Sequence, residues 1–198
     1  DAPNKFRVLI ASPDKALEIL RDLQSNGQGA APMFRGIRDM SAADLARRYD
    51  APRNGGYSLN TPDAILNEAT FMTWQATCQG IIDGIRDTLK DEVGLDDDDF
   101  IHLPVLFRKE RVRYIAYTPG VVNSLVLTKP DLTVHLCMPK PFGPVVNGVC
   151  KFEEAITAAL GPAGTTGVGL TFIDDFATYH VLYGEIHCGT NSKRQPPT

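Results

Sequence analysis

Phe6-Arg7-Val8-Leu9-Ile10-Ala11-Ser12-Pro13-Asp14 decides the reading of the chain, because one short stretch holds a strand and the start of a helix. The apolar run Phe6 to Ala11 has the composition of a buried strand. Ser12 then offers a capping oxygen, and Pro13 brings the fixed φ that suits a first helical position. Beyond it Ala16, Leu17, Ile19, Leu20 and Leu23 recur at helical spacing, and Asn26-Gly27 supplies the stop. A strand feeding an amphipathic helix is the building unit of an α/β fold.

Working outward, residues Gln28 to Asn60 are rich in Gly, Pro, Asn and Arg, with one short helix expected from Ser41 towards Tyr49. Thr61-Pro62-Asp63 opens a long helical pattern carrying Ile65, Phe71, Met72, Trp74, Cys78, Ile81, Ile82, Ile85, Leu89 and Val93, closed by Gly94. The spacing predicts one main core helix. After Asp96 to Asp99, short apolar runs at Ile101–Phe107, Val112–Tyr117 and Ser124–Thr128 predict strands. Pro139, Pro141, Gly143 and Pro144 predict a stiff loop, Lys151–Leu160 a helix, Val168–Ile173 a strand and Tyr183–Cys188 a last strand. The alternation predicts a single α/β domain, with no internal linker polar enough to divide it.

Composition narrows the partners. The chain has 198 residues, 43% hydrophobic and 22% charged, which is globular. A net charge of -4 with both signs interspersed lacks the basic stripe of a nucleic-acid binder. No apolar run approaches the roughly 20 residues that span a bilayer, so neither nucleic acid nor membrane is expected as a partner. Asp1, lacking an initiating methionine and lying close to a hydrophobic strand, reads as a processing or cut point.

Four cysteines, Cys78, Cys137, Cys150 and Cys188, are too scattered for a disulfide scaffold or a paired CxxC zinc site. Cys78 falls on the apolar face of the long helix and reads as core. Cys137 and Cys150 flank the proline loop and could be buried, free or bridged. Glu185-Ile186-His187-Cys188-Gly189-Thr190-Asn191 ends a predicted strand in a glycine turn, which would present Cys188 at an edge beside backbone N–H groups. Strand alternation would turn the adjacent His187 to the opposite face, so any base must come from elsewhere. Taken by itself, a lone cysteine is more often a small buried hydrophobe.

Other candidates have plainer readings. His135 and Cys137 with His187 and Cys188 lack structural-zinc spacing. Asp96 to Asp99 lacks the glycine and terminal glutamate of a calcium loop and reads as a solvated turn. Gly161 to Gly169 has no Lys-Ser/Thr to make it a phosphate loop. Asp174 and Asp175 could be paired general acids, but a charged turn explains them equally well, and no catalytic role is assigned to them.

Met138-Pro139-Lys140-Pro141-Phe142-Gly143-Pro144-Val145-Val146-Asn147-Gly148, Thr171-Phe172-Ile173-Asp174-Asp175-Phe176-Ala177-Thr178-Tyr179-His180 and Gly184 to Asn191 closely resemble the C-terminal catalytic part of protein-arginine deiminases. Phe6 to Pro13, Leu103 to Phe107 and Val122 to Leu127 resemble that family in the same order. The resemblance overturns the plain reading of Cys188. It implies that residues 1–198 are the C-terminal part of a deiminase catalytic domain, supplying the later units of a pentein-type five-fold α/β propeller.

The resemblance also implies arginine-to-citrulline chemistry on peptides or proteins, with Cys188 attacking the guanidinium carbon and a covalent thiouronium intermediate resolved by water. The family's histidine and two aspartates, which clamp the guanidinium and move protons, match nothing here. The Gly-His-Val-Asp-Glu-Phe-like segment that carries the histidine and one aspartate is absent, and none of His102, His135, His180 or His187 takes its place. An N-terminal fragment or chain of the same enzyme is therefore the implied partner. Calcium is the implied cofactor, its ligands expected outside this chain. Leu182 stands where some relatives carry arginine near the substrate entrance, and the connection from Thr128 to Cys137 is longer than expected. Two alternatives stay open: a related pentein acting on a small guanidino compound, and a non-catalytic binding fragment.

Overall fold

A computed structural model describes residues 6–38, 59–128, 133–160 and 168–191. The helix expected from Ser41, most of the Gly161 to Gly169 connection and both chain ends lie outside these residues. The opening unit forms as its sequence dictates: β1 (Val8–Ser12) runs into α1 (Pro13–Ser25), and the Ser12 hydroxyl accepts from the Lys15 N–H at 3.1 Å. Asn26 caps the far end, and Gly27 takes the left-handed φ of 72° that a β-carbon disfavours.

The single long helix predicted from Thr61 is two. α2 (Pro62–Leu66) and α3 (Ala69–Val93) are separated at Asn67 and Glu68. Glu68 is extended and turns its carboxylate onto the Thr70 N–H at 3.1 Å, so it caps a new helix rather than continuing the old one. The apolar pattern also overstates the burial of α3. Phe71, Gln75, Cys78 and Gln79 are buried, whereas Ile81 and Ile85 are 55% and 54% exposed. Two buried glutamines pin the first half. Gln75 donates to the Phe107 carbonyl at 2.6 Å and accepts from its N–H at 2.9 Å, and Gln79 accepts from the Asp14 N–H at 3.1 Å.

The strands fall into small separate sheets. β1 pairs in parallel with β2 (Phe100–Pro104), and β3 (Phe107–Glu110) forms a hairpin with β4 (Arg113–Ala116). The run expected as one strand from Ile101 to Phe107 is thus divided between β2 and β3. β5 (Leu125–Thr128) pairs antiparallel with β6 (Val134–Pro139), which pairs in parallel with β9 (Val168–Ile173). A further short hairpin, β7 (Val145–Val146) with β8 (Val149–Cys150), leads into α4 (Lys151–Leu160). The proline stretch read only as a loop therefore has β6 on one side and a hairpin on the other. β6 escaped notice because His135 and Cys137 interrupt its apolar pattern.

Between α1, α3 and the final turns sits an aromatic core of Phe34, Phe71, Tyr117, Phe142 and Phe176. Edge-on contacts link Phe34 to Tyr117 and Phe142 to Phe176, with ring centroids 5.4 Å apart in each pair. Phe176 also stacks at 4.8 Å on His180, so the core directly supports the segment that leads to Cys188.

Candidate active site

The last strand predicted at Tyr183–Cys188 does not form. Two single 3-10 turns, His180–Leu182 and Ile186–Gly189, replace it, with Tyr183 at a φ of 68° between them. Glu185 is 5% exposed, and its Oε1 accepts from the Gly120 N–H at 2.7 Å and lies 2.9 Å from His180 Nδ1. One carboxylate oxygen thus meets both the Gly120 backbone and the His180 ring. The Glu185 carbonyl also closes an i to i+3 turn onto the Cys188 N–H, so the stretch bonds to itself instead of along a sheet edge.

The turn that results presents Cys188. Its N–H donates to the Glu185 carbonyl at 2.9 Å, and the His187 N–H reaches the Asn123 carbonyl at 3.4 Å. The sulfur is exposed and accepts from Asn123 Nδ2 at 3.0 Å. This amide contact, helped by the Glu185 backbone N–H, holds the Cys188 thiol below its ordinary pKa. Gly189 is required by close approach, since a β-carbon there would run into the Tyr179 ring. His187 is exposed in the same turn, and the alternation argument that set it on an opposite face has no strand to act on.

The other candidates go elsewhere. Burial on α3 pushes the Cys78 thiol up to about 11, and burial also raises Cys150. All four cysteines are free thiols, which settles the open pairing of Cys137 and Cys150. His135 Nε2 bonds the Thr171 hydroxyl at 2.9 Å on the β6–β9 sheet. His180 is committed to Glu185, and His102 lies on β2.

Asp175 corrects the charged-turn reading. It is 2% exposed, and among the described residues only weak backbone contacts from Asp175 itself and from Ile186 reach its carboxylate. Burial, aided by repulsion from Glu185, raises its pKa to about 7. Asp174 accepts from the Arg38 N–H at 2.9 Å.

Among the described residues no cluster of three or more His, Cys, Asp or Glu side chains is placed to hold a metal ion. The Asp96–Asp99 run is otherwise engaged. Asp97 pairs with Lys90 at 2.7 Å, and the buried Asp99 accepts from the Asp96 N–H at 2.9 Å. These residues do not fit a calcium site. No described helix is long and apolar enough to cross a membrane.

Asn123, His180 and Glu185 are the site residues that motif reading missed. All three lie inside the stretches whose order carried the family resemblance, but their roles depend on contacts between loops far apart in sequence.

The described residues form a mixed α/β chain that exposes one amide-bonded cysteine on a turn braced by buried polar groups. Its sequence places it more narrowly: the chain belongs to the protein-arginine deiminase family, whose model matches residues 1–198. It is 40% identical to mouse (Mus musculus) protein-arginine deiminase type-3 over 191 residues, which is 96% of this chain and 26% of the relative. It is 38% identical to human (Homo sapiens) protein-arginine deiminase type-4 over 198 residues, covering 98% of this chain and 26% of that protein. The mouse type-1 enzyme is 38% identical over 193 residues, 98% of this chain and 25% of the relative. The chain thus spans about a quarter of the length of the curated relatives it matches.

Proposed function

We propose that this chain contributes the cysteine half of a site that converts peptidyl arginine to citrulline. The observation that carries the proposal is the Cys188 thiol: exposed, on a braced turn, and held below its ordinary pKa by the Asn123 amide. The thiolate sulfur forms a bond to the guanidinium carbon. A proton reaches one terminal nitrogen, the C–N bond to it breaks, and ammonia leaves. Water then adds to the thiouronium carbon and loses protons, and the C–S bond breaks to return the thiolate and leave the urea group of citrulline. The balance is arginine plus water giving citrulline plus ammonia.

The proton transfers need groups that this site does not hold. Among the described residues the side chain on the sulfur is Asn123, which cannot act as a base. We therefore assign the histidine and two aspartates of the reaction to residues outside this chain, in an N-terminal fragment or chain of the same enzyme. The separate small sheets fit the later units of a five-fold propeller, with 1–198 as the C-terminal part of the catalytic domain. Calcium, implied by the family, would take its ligands from residues outside the described ones.

The test is citrulline formation from a blocked arginine peptide, with and without calcium, by the chain joined to the N-terminal part of the enzyme and by the same protein carrying Cys188→Ala. Turnover by the joined protein that disappears in the variant is expected. Turnover that survives in the variant would sink the assignment.

A further inference from the structure

Cys188 and Asn123 come from loops 65 residues apart, and two links besides their own contact hold those loops together. The Gly120 N–H donates to Glu185 Oε1 at 2.7 Å, and the Asn123 N–H closes a turn onto the Gly120 carbonyl at 2.8 Å. The His187 N–H returns to the Asn123 carbonyl at 3.4 Å. Glu185 is thus the common anchor: its side chain grips the loop of Asn123, while its carbonyl accepts the Cys188 N–H at 2.9 Å. His180, seated on Phe176, fixes the carboxylate from the other side.

We propose that Asn123 is a catalytic donor to the Cys188 sulfur, and that Glu185 is the positioning residue that keeps donor and nucleophile in register. The proposal rests on Cys188 being the nucleophile. An anionic sulfur gains from a donor that approaches at fixed distance, and an amide supplies that hydrogen without being able to take the proton back. The nucleophile is then prepared by this chain's own fold, before a guanidinium arrives. Substrate clamping and proton transfer remain with other groups.

The experiment follows iodoacetamide alkylation of Cys188 against pH in the native protein, read at the peptide level by mass spectrometry so that the other cysteines do not contribute. Asn123→Ala should raise the pH midpoint by about half to one unit, the worth of one exposed hydrogen bond to a charged acceptor. Asn123→Asp should raise it further, because a carboxylate repels the thiolate. Glu185→Ala should raise the midpoint by less than Asn123→Ala does, because loss of the Glu185 charge acts the other way, whereas Glu185→Gln, which keeps an acceptor for Gly120 and His180, should bring it to the native value or slightly below. A midpoint unchanged in Asn123→Ala overturns the donor role even if Cys188→Ala abolishes citrulline formation. A shift in Glu185→Ala that Glu185→Gln fails to restore overturns the positioning role. Turnover retained in Cys188→Ala overturns the nucleophile reading and the catalytic part of this one together.

Discussion

Cys78 and Cys188 are the same residue in opposite surroundings. Cys78 lies against the core on the buried half of α3, and its thiol is pushed up to about 11 by desolvation alone. Cys188 stands on an exposed turn, and a side-chain amide favours its thiolate. The difference teaches that thiol acidity here follows from a loop-to-loop contact and from exposure, neither of which is a property of the residues adjacent in sequence.

The contrast is broken most directly by deletion. Cys188→Ala should lower citrulline formation at least about a thousandfold, because a covalent route loses its nucleophile, while Cys78→Ala should leave turnover near the native rate. Comparable losses in both would end the comparison. Alkylation sharpens it: at pH 7.5 iodoacetamide should label Cys188 about a hundredfold faster than Cys78, since the buried thiol is almost wholly protonated. Peptide mapping over a time course reads the ratio. Equal rates would mean that Cys78 becomes exposed.

Gly189→Ala tests the turn without touching the sulfur. A β-carbon there meets the Tyr179 ring, so the turn must shift, and turnover should fall about tenfold with a smaller change in thermal midpoint. Native turnover in this variant would show that the turn tolerates displacement.

The smallest effect concerns the carboxyl beneath the turn. Asp175 titrates near 7 when folded and near the ordinary 3.9 when unfolded, so folding favours its protonated form. Its contribution is complete below about pH 4 and is lost as pH rises through about 7. Asp175→Asn should therefore raise unfolding free energy at pH 8 more than at pH 4. Chemical denaturation at the two pH values checks this. Equal effects at both would show that Asp175 is not the titrating group.

Much of the fold was legible where local chemistry and tertiary packing agree. Ser12-Pro13 starts α1, Gly94 stops α3 at a φ of 73°, and Lys151–Leu160 and Val168–Ile173 form as their patterns predict. Reading failed where local bonds overrode the pattern. Glu68 capped a new helix in mid-run, and i to i+3 bonds around Glu185 and His187 closed the last expected strand into a 3-10 turn. The family motifs around Cys188 singled it out as the candidate, but they did not indicate its contact with Asn123, which reaches it from another loop.

The sequence by itself determined the α/β alternation, the helix starts and stops, the family and the identity of the candidate nucleophile, since each is written in contiguous residues. Only the tertiary structure decided that the last segment is a turn, that Asp175, His180 and Glu185 are buried together beneath it, and that Asn123 meets the sulfur. The physical reason is range: capping and periodicity act over three or four residues, whereas burial and the contacts between loops exist only after distant segments have packed.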